Sequence, residues 1–388
     1  MLKIGDMTIE GINDDITVSV GVPTLGEPQL ERQGNLTLLR NMLIGKDFHW
    51  QRTVEALLPG EVEVNGKGEC GVLNRLPVEK YLECVVGSEM NPGAPVEFLK
   101  AHAVISRSWV LGKILKTHDS SEEGKVDLPD RIIRWEDTCD HDGFDVCSDD
   151  HCQRYQGLQP IPGPVLDALQ ATAGEVLTGA DGRLIDARFS KCCGGRTELF
   201  SSCWQPHEEE SLVSFPDPWC DMEGLPDGDK SKVLSAILKE YDLENGGGYR
   251  WTAKADGSGI RRNLLVKFGR DIGEINGIEV LRRGASGRAT LLRVEGSAGR
   301  IDIGKELMIR RLLAPTHLYS SWFDIIPDEG EEKSWILHGR GWGHGVGLCQ
   351  IGAARMALEG HSYTDILRFY YPGAEITRGA GITREAAT

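Results

Sequence analysis

Short apolar runs separated by glycine and proline open the chain. Residues 1 to about 80 contain the runs ITVSVGV, LTLL and EVEVNG. Such runs, divided by turn residues, are typical of strands that tight turns connect. The sequence therefore predicts a β-rich opening.

The pattern turns helical within LPVEKYLECVVGSEM, and a second helical segment begins at Pro95. Its apolar and small residues recur at spacings of three and four, at Val96, Leu99, Ala103, Ser106 and Val110. This spacing places them on one helix face. Proline suits the first helical position, because its missing N–H would have no partner there. We therefore expect a helix from Pro95 to about Lys116.

The rest of the chain contains a helix, a hairpin, a strand-rich region and a helical end. GPVLDALQATAG predicts the helix, and GEVLTGADGRLIDARFS predicts a hairpin that turns at Asp181-Gly182. Residues from about Trp251 to Leu313 contain strand-like runs divided by glycine. The segment GRGWGHGVGLCQIGAARMALEGHSYTDILRFYYPG predicts a loop, a helix, a turn and a helix.

These elements predict an α+β protein with a mixed main domain formed by both chain ends and a smaller β-rich inserted domain. The cleft should lie between the two. A chain of 388 residues is long enough for such a division. The expected parts are a β-rich N-terminal region (1–70), a region with a Cys/His loop (71–220), a β-rich inserted region (221–315) and a C-terminal part of the main domain (316–388).

The composition of the chain excludes some classes of function. The formal net charge is -16, so the chain as a whole lacks the basic surface with which nucleic-acid-binding proteins replace phosphate counterions. A nucleic-acid partner is therefore not expected. No window approaches the length of an apolar membrane span. The amino terminus MLKIGDMTIEGINDD lacks the basic start and apolar core of a signal peptide. Whether the protein works in the cytoplasm or a leader precedes this sequence stays open.

Glu89 ends an apolar run just before an Asn-Pro-Gly turn, where we expect a buried strand to lead into the helix. A carboxylate partly removed from water is harder to ionise, which suits a general acid. Alternatively, Glu89 is a helix-entry residue stabilised by the helix dipole, or the structural partner of Arg107 or Lys100. Those two cations lie seven apart on one helix face, where they could hold a substrate or serve as counter-ions. Residue patterns alone favour the structural roles.

The 10 cysteines are unevenly placed, and three lie in CDHDGFDVCSDDHCQRYQG. Thiolates and imidazoles together suit tetrahedral zinc, and four of them would close a structural site. The expected ligands are His141, Cys147, His151 and Cys152. Cys139 is an alternative ligand.

A second group of cysteines, Cys192, Cys193, Cys203 and Cys220, also lies close together in sequence. Clustered cysteines favour a metal over a disulfide framework. Neighbouring cysteines fit disulfide geometry poorly, so we expect Cys192 and Cys193 not to bridge each other.

Glycine occupies alternate positions in HGRGWGHGVGLCQIGAARMA. Glycine allows close approach of backbone to backbone or to a ligand, which leaves Trp342, His344 and Gln350 to contact a polar, stackable ligand such as a sugar. A purely structural glycine-rich corner is the alternative. The same two interpretations apply to Gly194 and Gly195 in SKCCGGRTE. No phosphate-binding loop is indicated, because its lysine is absent.

Several stretches together resemble the SpoIID/LytB family, which includes stage II sporulation protein D and the amidase enhancer. They are YLECVVGSEMNPGAPVEFLKAHAVISRSWVLGK, DARFSKCCGGRTE, RVEGSAGRIDIGKELMIRRLL and GRGWGHGVGLCQIGAARMALEGHSYTDILRFYYPGAEI, in the family's order. The likeness covers roughly residues 70 to 375.

The resemblance implies a peptidoglycan lytic transglycosylase that cleaves the MurNAc–GlcNAc bond of glycan strands stripped of stem peptides and leaves 1,6-anhydro-MurNAc ends. Glu89, in the family's SEM motif, is then the acid/base. The residues expected to line the glycan groove are Lys100, Arg107, Gly194, Gly195, His344 and Gln350. Some members also resemble this chain in a Cys/His zinc site after the SEM helix, where the pattern of His141, Cys147, His151 and Cys152 falls. The implied partners are glycan strands and a cell-wall amidase, and the implied location is the cell envelope.

Two other functions stay open. One is a non-catalytic glycan-binding module that stimulates a cell-wall amidase. The other is a zinc hydrolase, which requires an open metal position with bound water.

Overall fold

The computed structural model describes residues 16–45, 51–65, 70–91, 93–115, 124–136, 141, 143–149, 151–158, 163–237 and 249–378, and the backbone of 2–4, 7–11 and 380–381. Helices and several small sheets are both present, so the predicted α+β class is confirmed. No helix within these residues combines the length and apolar character needed to cross a membrane.

The helices of the described residues include all those predicted from periodicity. They are α1 (Val78–Glu89), α2 (Val96–Ile114), α3 (Gly163–Ala171), α4 (Asp227–Ile237), α5 (Gly257–Phe268), α6 (Glu306–Leu313), α7 (Gln350–Leu358) and α8 (Tyr363–Tyr370). Pro95 directly precedes α2 with a φ of -57°, within the range that proline's ring imposes. Ser362 caps α8, because its hydroxyl accepts the backbone N–H of Asp365.

The strands are short and numerous. They are β1 (Leu2–Ile4), β2 (Met7–Gly11), β3 (Thr17–Val22), β4 (Leu30–Gln33), β5 (Leu36–Ile44), β6 (Arg52–Pro59), β7 (Glu61–Val64), β8 (Val72–Pro77), β9 (Val126–Leu128), β10 (Arg131–Ile133), β11 (Val146–Cys147), β12 (Glu175–Thr178), β13 (Phe189–Ser190), β14 (Arg250–Asp256), β15 (Ile275–Arg283), β16 (Ala289–Gly296), β17 (Gly299–Gly304), β18 (Phe323–Pro327), β19 (Ser334–Arg340), β20 (Leu348–Cys349), β21 (Glu375–Arg378) and β22 (Ala380–Gly381).

The first hydrophobic core lies around α1 and α2. A four-stranded sheet in the order β11-β3-β8-β7 and a three-stranded sheet β4-β5-β6 cover one side of it. Almost all of α2 is buried, because α1, α3, α7, α8 and β12 all pack against it. The C-terminal helices thus join the core that the N-terminal strands begin.

The second hydrophobic core is formed mainly by residues between Trp251 and Leu337. It holds a five-stranded sheet in the order β15-β16-β17-β10-β9 and a three-stranded sheet β14-β19-β18, packed with α5 and α6. Strand β10 pairs in parallel with β17, with Arg131 opposite Asp302. Residues just before the Cys/His loop therefore belong to the sheet of the second core. The boundaries predicted at residues 70, 220 and 315 stay predictions.

The hairpin predicted around Asp181-Gly182 forms only in part. The turn closes through a hydrogen bond from the Gly179 N–H to the Arg183 carbonyl at 2.8 Å, and one bridge joins Thr178 to Leu184. Strand β12 pairs instead with β21 over its whole length. A distant strand from the chain end replaces the local partner that the turn signal indicated.

Candidate active site and metal centre

A cleft of about 1350 Å³ lies between the two cores. One side carries Glu89, the Cys/His loop and the glycine-rich loop, and the other carries α6 and the end of α5. The lining includes Glu89, Arg154, Arg188, Trp342, Glu306 and Arg310. Chain segments that are more than 200 residues apart in sequence therefore share one surface.

Glu89 is the last residue of α1, and only 7% of its surface is exposed. The expectation that a buried strand precedes it was wrong, since the run before it is helical. Both sides of α1 are buried, so its apolar positions are nearly continuous and cannot be told from those of a buried strand. Glu89 also lies at the negative end of the helix dipole. It is therefore not a helix-entry glutamate stabilised by the dipole.

The segment that follows the Cys/His loop holds the end of α1 in place. We call residues 152–156 the clamp segment. The Arg154 N–H donates to Glu89 Oε1 at 2.9 Å, and the Gln156 N–H donates to Ser88 Oγ at 3.0 Å. A hydrogen bond to a carboxylate contributes about 1.5–3 kcal/mol, so this contact restrains the Glu89 side chain. Neither contact could be inferred from sequence spacing.

Two tyrosines anchor the clamp segment to the core. The Tyr81 hydroxyl donates to Gln153 Oε1 at 3.2 Å, and the Tyr155 hydroxyl donates to Asn74 Oδ1 at 2.5 Å. The rings of Tyr81 and Tyr155 stack with centroids 5.7 Å apart. Because all of these groups are buried, the clamp segment has little freedom to move away from Glu89.

The structure brings together the four residues predicted as metal ligands, His141, Cys147, His151 and Cys152. Their donor atoms all lie within 4.8 Å of one another. His141 Nε2 lies 3.1 Å from Cys152 Sγ, and His151 Nδ1 lies 3.9 Å from Cys147 Sγ. Ligands of a tetrahedral zinc ion are about 3.6 Å apart for sulfur and nitrogen. The two-sulfur, two-nitrogen set therefore fits zinc in both chemistry and spacing.

The electrostatics of this cluster favour a thiolate. A hydrogen bond from the Cys152 thiol lowers the pKa of Cys147, and both histidines add to the effect. Burial raises the pKa of Cys152. Thiolates are the form in which cysteine binds metals. Cys139, the alternative ligand, lies outside the described residues.

Another part of the cleft is aromatic and basic. Arg188 forms a buried ion pair with Asp186 at 2.7 Å, and its guanidinium lies 4.1 Å from the ring centroid of Trp204. Trp342 packs edge-to-face on Tyr319 at 5.2 Å. Of these cleft residues only Trp342 was expected from the sequence. For Arg188 the available signal was a charged residue inside the short apolar run DARFS.

His344 and Gln350, which were predicted to contact the glycan, line the cleft, but contacts within the protein hold each of them. His344 Nδ1 accepts the Val346 N–H at 3.0 Å, and burial lowers the pKa of His344 to about 3. Gln350 Nε2 lies 3.2 Å from His102 Nε2. Burial likewise lowers the pKa of His102 to about 3. Both histidines are therefore neutral at ordinary pH.

Lys100, Arg107, Gly194 and Gly195 are not among the residues that line the cleft. Arg107 is fully buried and forms a two-pronged ion pair with Glu79 at 2.6 and 2.8 Å. Lys100 pairs with Glu97 at 2.6 Å. Both cations therefore serve as counter-ions, which was the structural alternative. Their partners are Glu79 and Glu97 rather than Glu89.

Glycines 194 and 195 serve the packing of loops. Gly194 has a φ of +83°, and a Cβ there would lie 3.1 Å from the Gly341 nitrogen. The loop that contains it is therefore pressed against the end of β19, as Cys192 and Trp342 form a bridge beside it.

The glycine-rich loop rests on a buried arginine. Arg288 is fully buried and donates from Nη2 to the Gly343 carbonyl at 3.2 Å. Gly345 has a φ of +78°, and a Cβ there would lie 2.5 Å from Arg288 Cζ. Side chains at this position are therefore excluded by both conformation and space. Arg288 comes from the second core, so the loop spans the two cores beneath the cleft.

Comparison with known proteins finds similarity to one protein family over part of the chain. Residues 66–178 match the model for the Stage II sporulation protein family, and residues 198–347 match a domain of unknown function, DUF8618. Stage II sporulation protein D of Bacillus subtilis is 27% identical over 308 residues, which cover 79% of this chain and 76% of that protein. An uncharacterized protein of Brachyspira hyodysenteriae is 27% identical over 314 residues, 81% of this chain and 70% of that protein. The Bacillus subtilis amidase enhancer is 26% identical over 233 residues, 54% of this chain and 32% of the enhancer.

Proposed function

We propose that this chain has a role related to the cell wall and is a peptidoglycan lytic transglycosylase, on the basis of its similarity to the Stage II sporulation protein family and to the amidase enhancer. The observation that carries the proposal is the position of Glu89. It is a buried carboxylate at the cleft surface, oriented by the Arg154 N–H. Its substrate would be the MurNAc–GlcNAc bond of a glycan strand.

One carboxyl group suffices for this reaction. Protonated Glu89 donates its proton to the glycosidic oxygen as the bond from MurNAc C1 to that oxygen breaks. The resulting Glu89 carboxylate then accepts the proton of the MurNAc 6-hydroxyl while O6 forms a bond to C1. The products are a free GlcNAc 4-hydroxyl and a 1,6-anhydro-MurNAc end. No water is consumed, and no second carboxylate is required to activate one.

The excess of cationic residues in the cleft suits a negatively charged ligand, such as a glycan strand without stem peptides. Among the described lining residues, eight are lysine or arginine and five are aspartate or glutamate, whereas acidic residues prevail in the whole chain. Removal of a stem peptide leaves a free lactyl carboxylate on each MurNAc. A cleft with an excess of cations attracts a strand that carries these carboxylates close to its sugars.

Aromatic residues complete the proposed groove. Trp204 and Trp342 both line the cleft. The Arg188 guanidinium lies over the Trp204 ring and also forms the ion pair with Asp186. Flat aromatic surfaces beside polar groups are typical of ligand pockets that orient their ligand. We propose that these residues, with His344 and Gln350, contact the sugars, and that Lys100, Arg107, Gly194 and Gly195 act only through the fold.

Zinc would bind at His141, Cys147, His151 and Cys152 and would supply a structural cross-link. Four protein ligands close a tetrahedral site and leave no position for a reactive water, which argues against a zinc hydrolase. The clamp segment begins at Cys152. A metal that holds Cys152 in place would also hold the Arg154 N–H, two residues later, against Glu89.

The test is to incubate the protein with peptide-free glycan strands and to analyse the soluble products by mass spectrometry. We expect products one water lighter per cleavage than hydrolysis would give. Glu89→Gln should lose them and still bind strands, because the Arg154 N–H keeps an amide oxygen as acceptor. Glu97→Gln is the matched control, since Glu97 bonds to Lys100 and the Tyr363 N–H outside the cleft. Equal loss in both variants, or turnover by Glu89→Gln, would refute the proposal.

A second candidate function is a glycan-binding module that stimulates a cell-wall amidase. The similarity to the amidase enhancer favours it. In that case the protein binds strands without cleaving them, and Glu89→Gln leaves amidase stimulation unchanged. Products with anhydro ends, lost in Glu89→Gln, would exclude this function as the sole one.

A further inference from the structure

A second cluster of metal-binding side chains lies in the interior, away from the cleft lining. Its members are Cys193, Asp217, Cys220 and Cys349, all buried. One sulfur or carboxylate oxygen from each lies within 4.8 Å of all the others. Three separate stretches of chain contribute them: the loop after β13, the DPWC turn, and the end of β20.

We propose that Cys193, Asp217, Cys220 and Cys349 bind a second, structural zinc ion through three sulfurs and one carboxylate oxygen. In a tetrahedral site with these ligands, sulfurs lie about 3.8 Å apart and sulfur and oxygen about 3.6 Å apart. Cys193 Sγ lies 3.2 Å from Asp217 Oδ2, close to that spacing. Four ligands from the protein would close the site.

Hydrogen bonds orient the Asp217 carboxylate in the way that the groups around a metal ligand do. Asp217 Oδ1 accepts the backbone N–H groups of Trp219 and Cys220 at 3.0 and 3.1 Å. Asp217 Oδ2 accepts the Tyr370 hydroxyl at 2.9 Å. One carboxylate oxygen is thus held by the backbone, while the other points toward the thiols. Such outer contacts fix the direction of metal-ligating carboxylates.

The thiols show the same arrangement. The Cys193 N–H donates to Cys349 Sγ at 3.3 Å, a contact that stabilises a thiolate more than a thiol. All four groups are buried and lie within 4.8 Å of one another. A divalent metal would bind the cysteines as thiolates and would supply the positive charge that these anions need.

No cationic side chain of the described residues supplies that charge. Within the described residues Asp217 forms no salt bridge, and its hydrogen-bond donors are Tyr370, Cys193 and two backbone N–H groups. Buried carboxylates are normally paired with a cation or a metal. The absence of a protein cation beside Asp217 is therefore a second observation, independent of the cysteine cluster, that points to a metal.

A disulfide is the competing arrangement. None of the nine cysteines in the described ranges is paired, but Cys192 Sγ lies 3.5 Å from Cys220 Sγ. A bond between those two sulfurs would remove Cys220 from the metal set. The two arrangements therefore make opposite predictions about free thiols and about metal content.

The site would stabilise the cleft from behind. Cys349 directly precedes Gln350, and Cys193 follows Lys191 by two residues, and both Gln350 and Lys191 line the cleft. A metal that joins Cys193 to Cys349 would fix the loop after β13 against the end of β20. This role is structural and does not depend on the reaction proposed for Glu89.

The experiment measures zinc per chain in protein purified with zinc and without chelator, together with sulfur ligation by X-ray absorption. We expect two zinc ions per chain. The Cys147→Ser/Cys152→Ser variant should keep one, ligated by three sulfurs. Cys193→Ser/Cys349→Ser should keep the other, ligated by two sulfurs and two nitrogens. Cys84→Ser, which changes a buried thiol outside both clusters, should keep two.

The wild-type protein alone also decides the matter if a variant fails to fold. Two sites with three and two sulfurs average about 2.5 sulfur ligands per zinc, against two for the Cys/His site alone. One zinc per chain with two sulfurs would overturn the proposal. So would a titration of the denatured, chelator-treated protein that finds two fewer thiols than its 10 cysteines provide.

Discussion

Replacing Gly345 with alanine should destabilise the protein far more than the same change at Gly26. The two glycines have nearly equal φ angles, +78° and +77°. For alanine this left-handed conformation costs about 1–2 kcal/mol. At Gly26 nothing lies within 4 Å of the added Cβ, whereas at Gly345 it meets the Arg288 guanidinium at 2.5 Å. Only Gly345→Ala therefore has to displace a neighbour.

The extra cost follows from what Arg288 holds. It is fully buried and donates to the Gly343 carbonyl and to Ser286 Oγ. A hydrogen bond from a charged group is worth about 1.5–3 kcal/mol, and moving the guanidinium sacrifices at least one. We expect a loss in the free energy of unfolding of about 3–5 kcal/mol for Gly345→Ala and about 1–2 kcal/mol for Gly26→Ala.

Urea unfolding followed by tryptophan fluorescence measures both values. The double variant Gly345→Ala/Arg288→Ala adds a check, since its cost should be less than the sum of the two single costs if the Cβ and the guanidinium compete for one space. Equal destabilisation of Gly26→Ala and Gly345→Ala would refute the reasoning, because it would mean that Arg288 does not constrain the glycine-rich loop.

Two further predictions concern pH and metal. Unfolding releases His102 from burial, so the unfolded chain binds its proton below about pH 6.5 while the folded protein resists it down to about pH 3. Stability should therefore fall as pH falls through this range, and His102→Gln should weaken that dependence in thermal melts, whereas exposed His338→Gln should not. Chelation should lower both melting temperature and strand cleavage, with recovery on added Zn²⁺ but not Mg²⁺, because the Cys/His loop fixes the Arg154 N–H on Glu89. A chelated protein with full activity would contradict that link.

Sequence patterns predicted α2, α3, α7 and α8, because burial of one face imposes a period of three to four residues. They did not predict α4, α5 and α6, and the last two lie in the region that we expected to be strand-rich. The patterns also indicated Glu89 and the four Cys/His donors, which lie within one stretch of chain. The pattern misplaced Glu89 at the end of a strand, since residues 84–89 at the end of α1 are all buried and no polar face there reveals the helical period. The cationic side chain of Arg107 suits a substrate contact, but it pairs with Glu79 on another helix and does not line the cleft.

The sequence by itself determined the fold class and the helix α2, and it predicted Glu89 as the candidate acid and the four Cys/His residues as metal ligands. Only the tertiary structure decided which residues meet at the cleft. Arg154 reaches Glu89 across 65 positions, and Cys193 reaches Cys349 across 156. The physical reason is that periodicity and spacing report local geometry, whereas a contact between distant segments depends on how two cores pack. The clamp segment, the Arg288 support and the second cysteine cluster all arise from that packing.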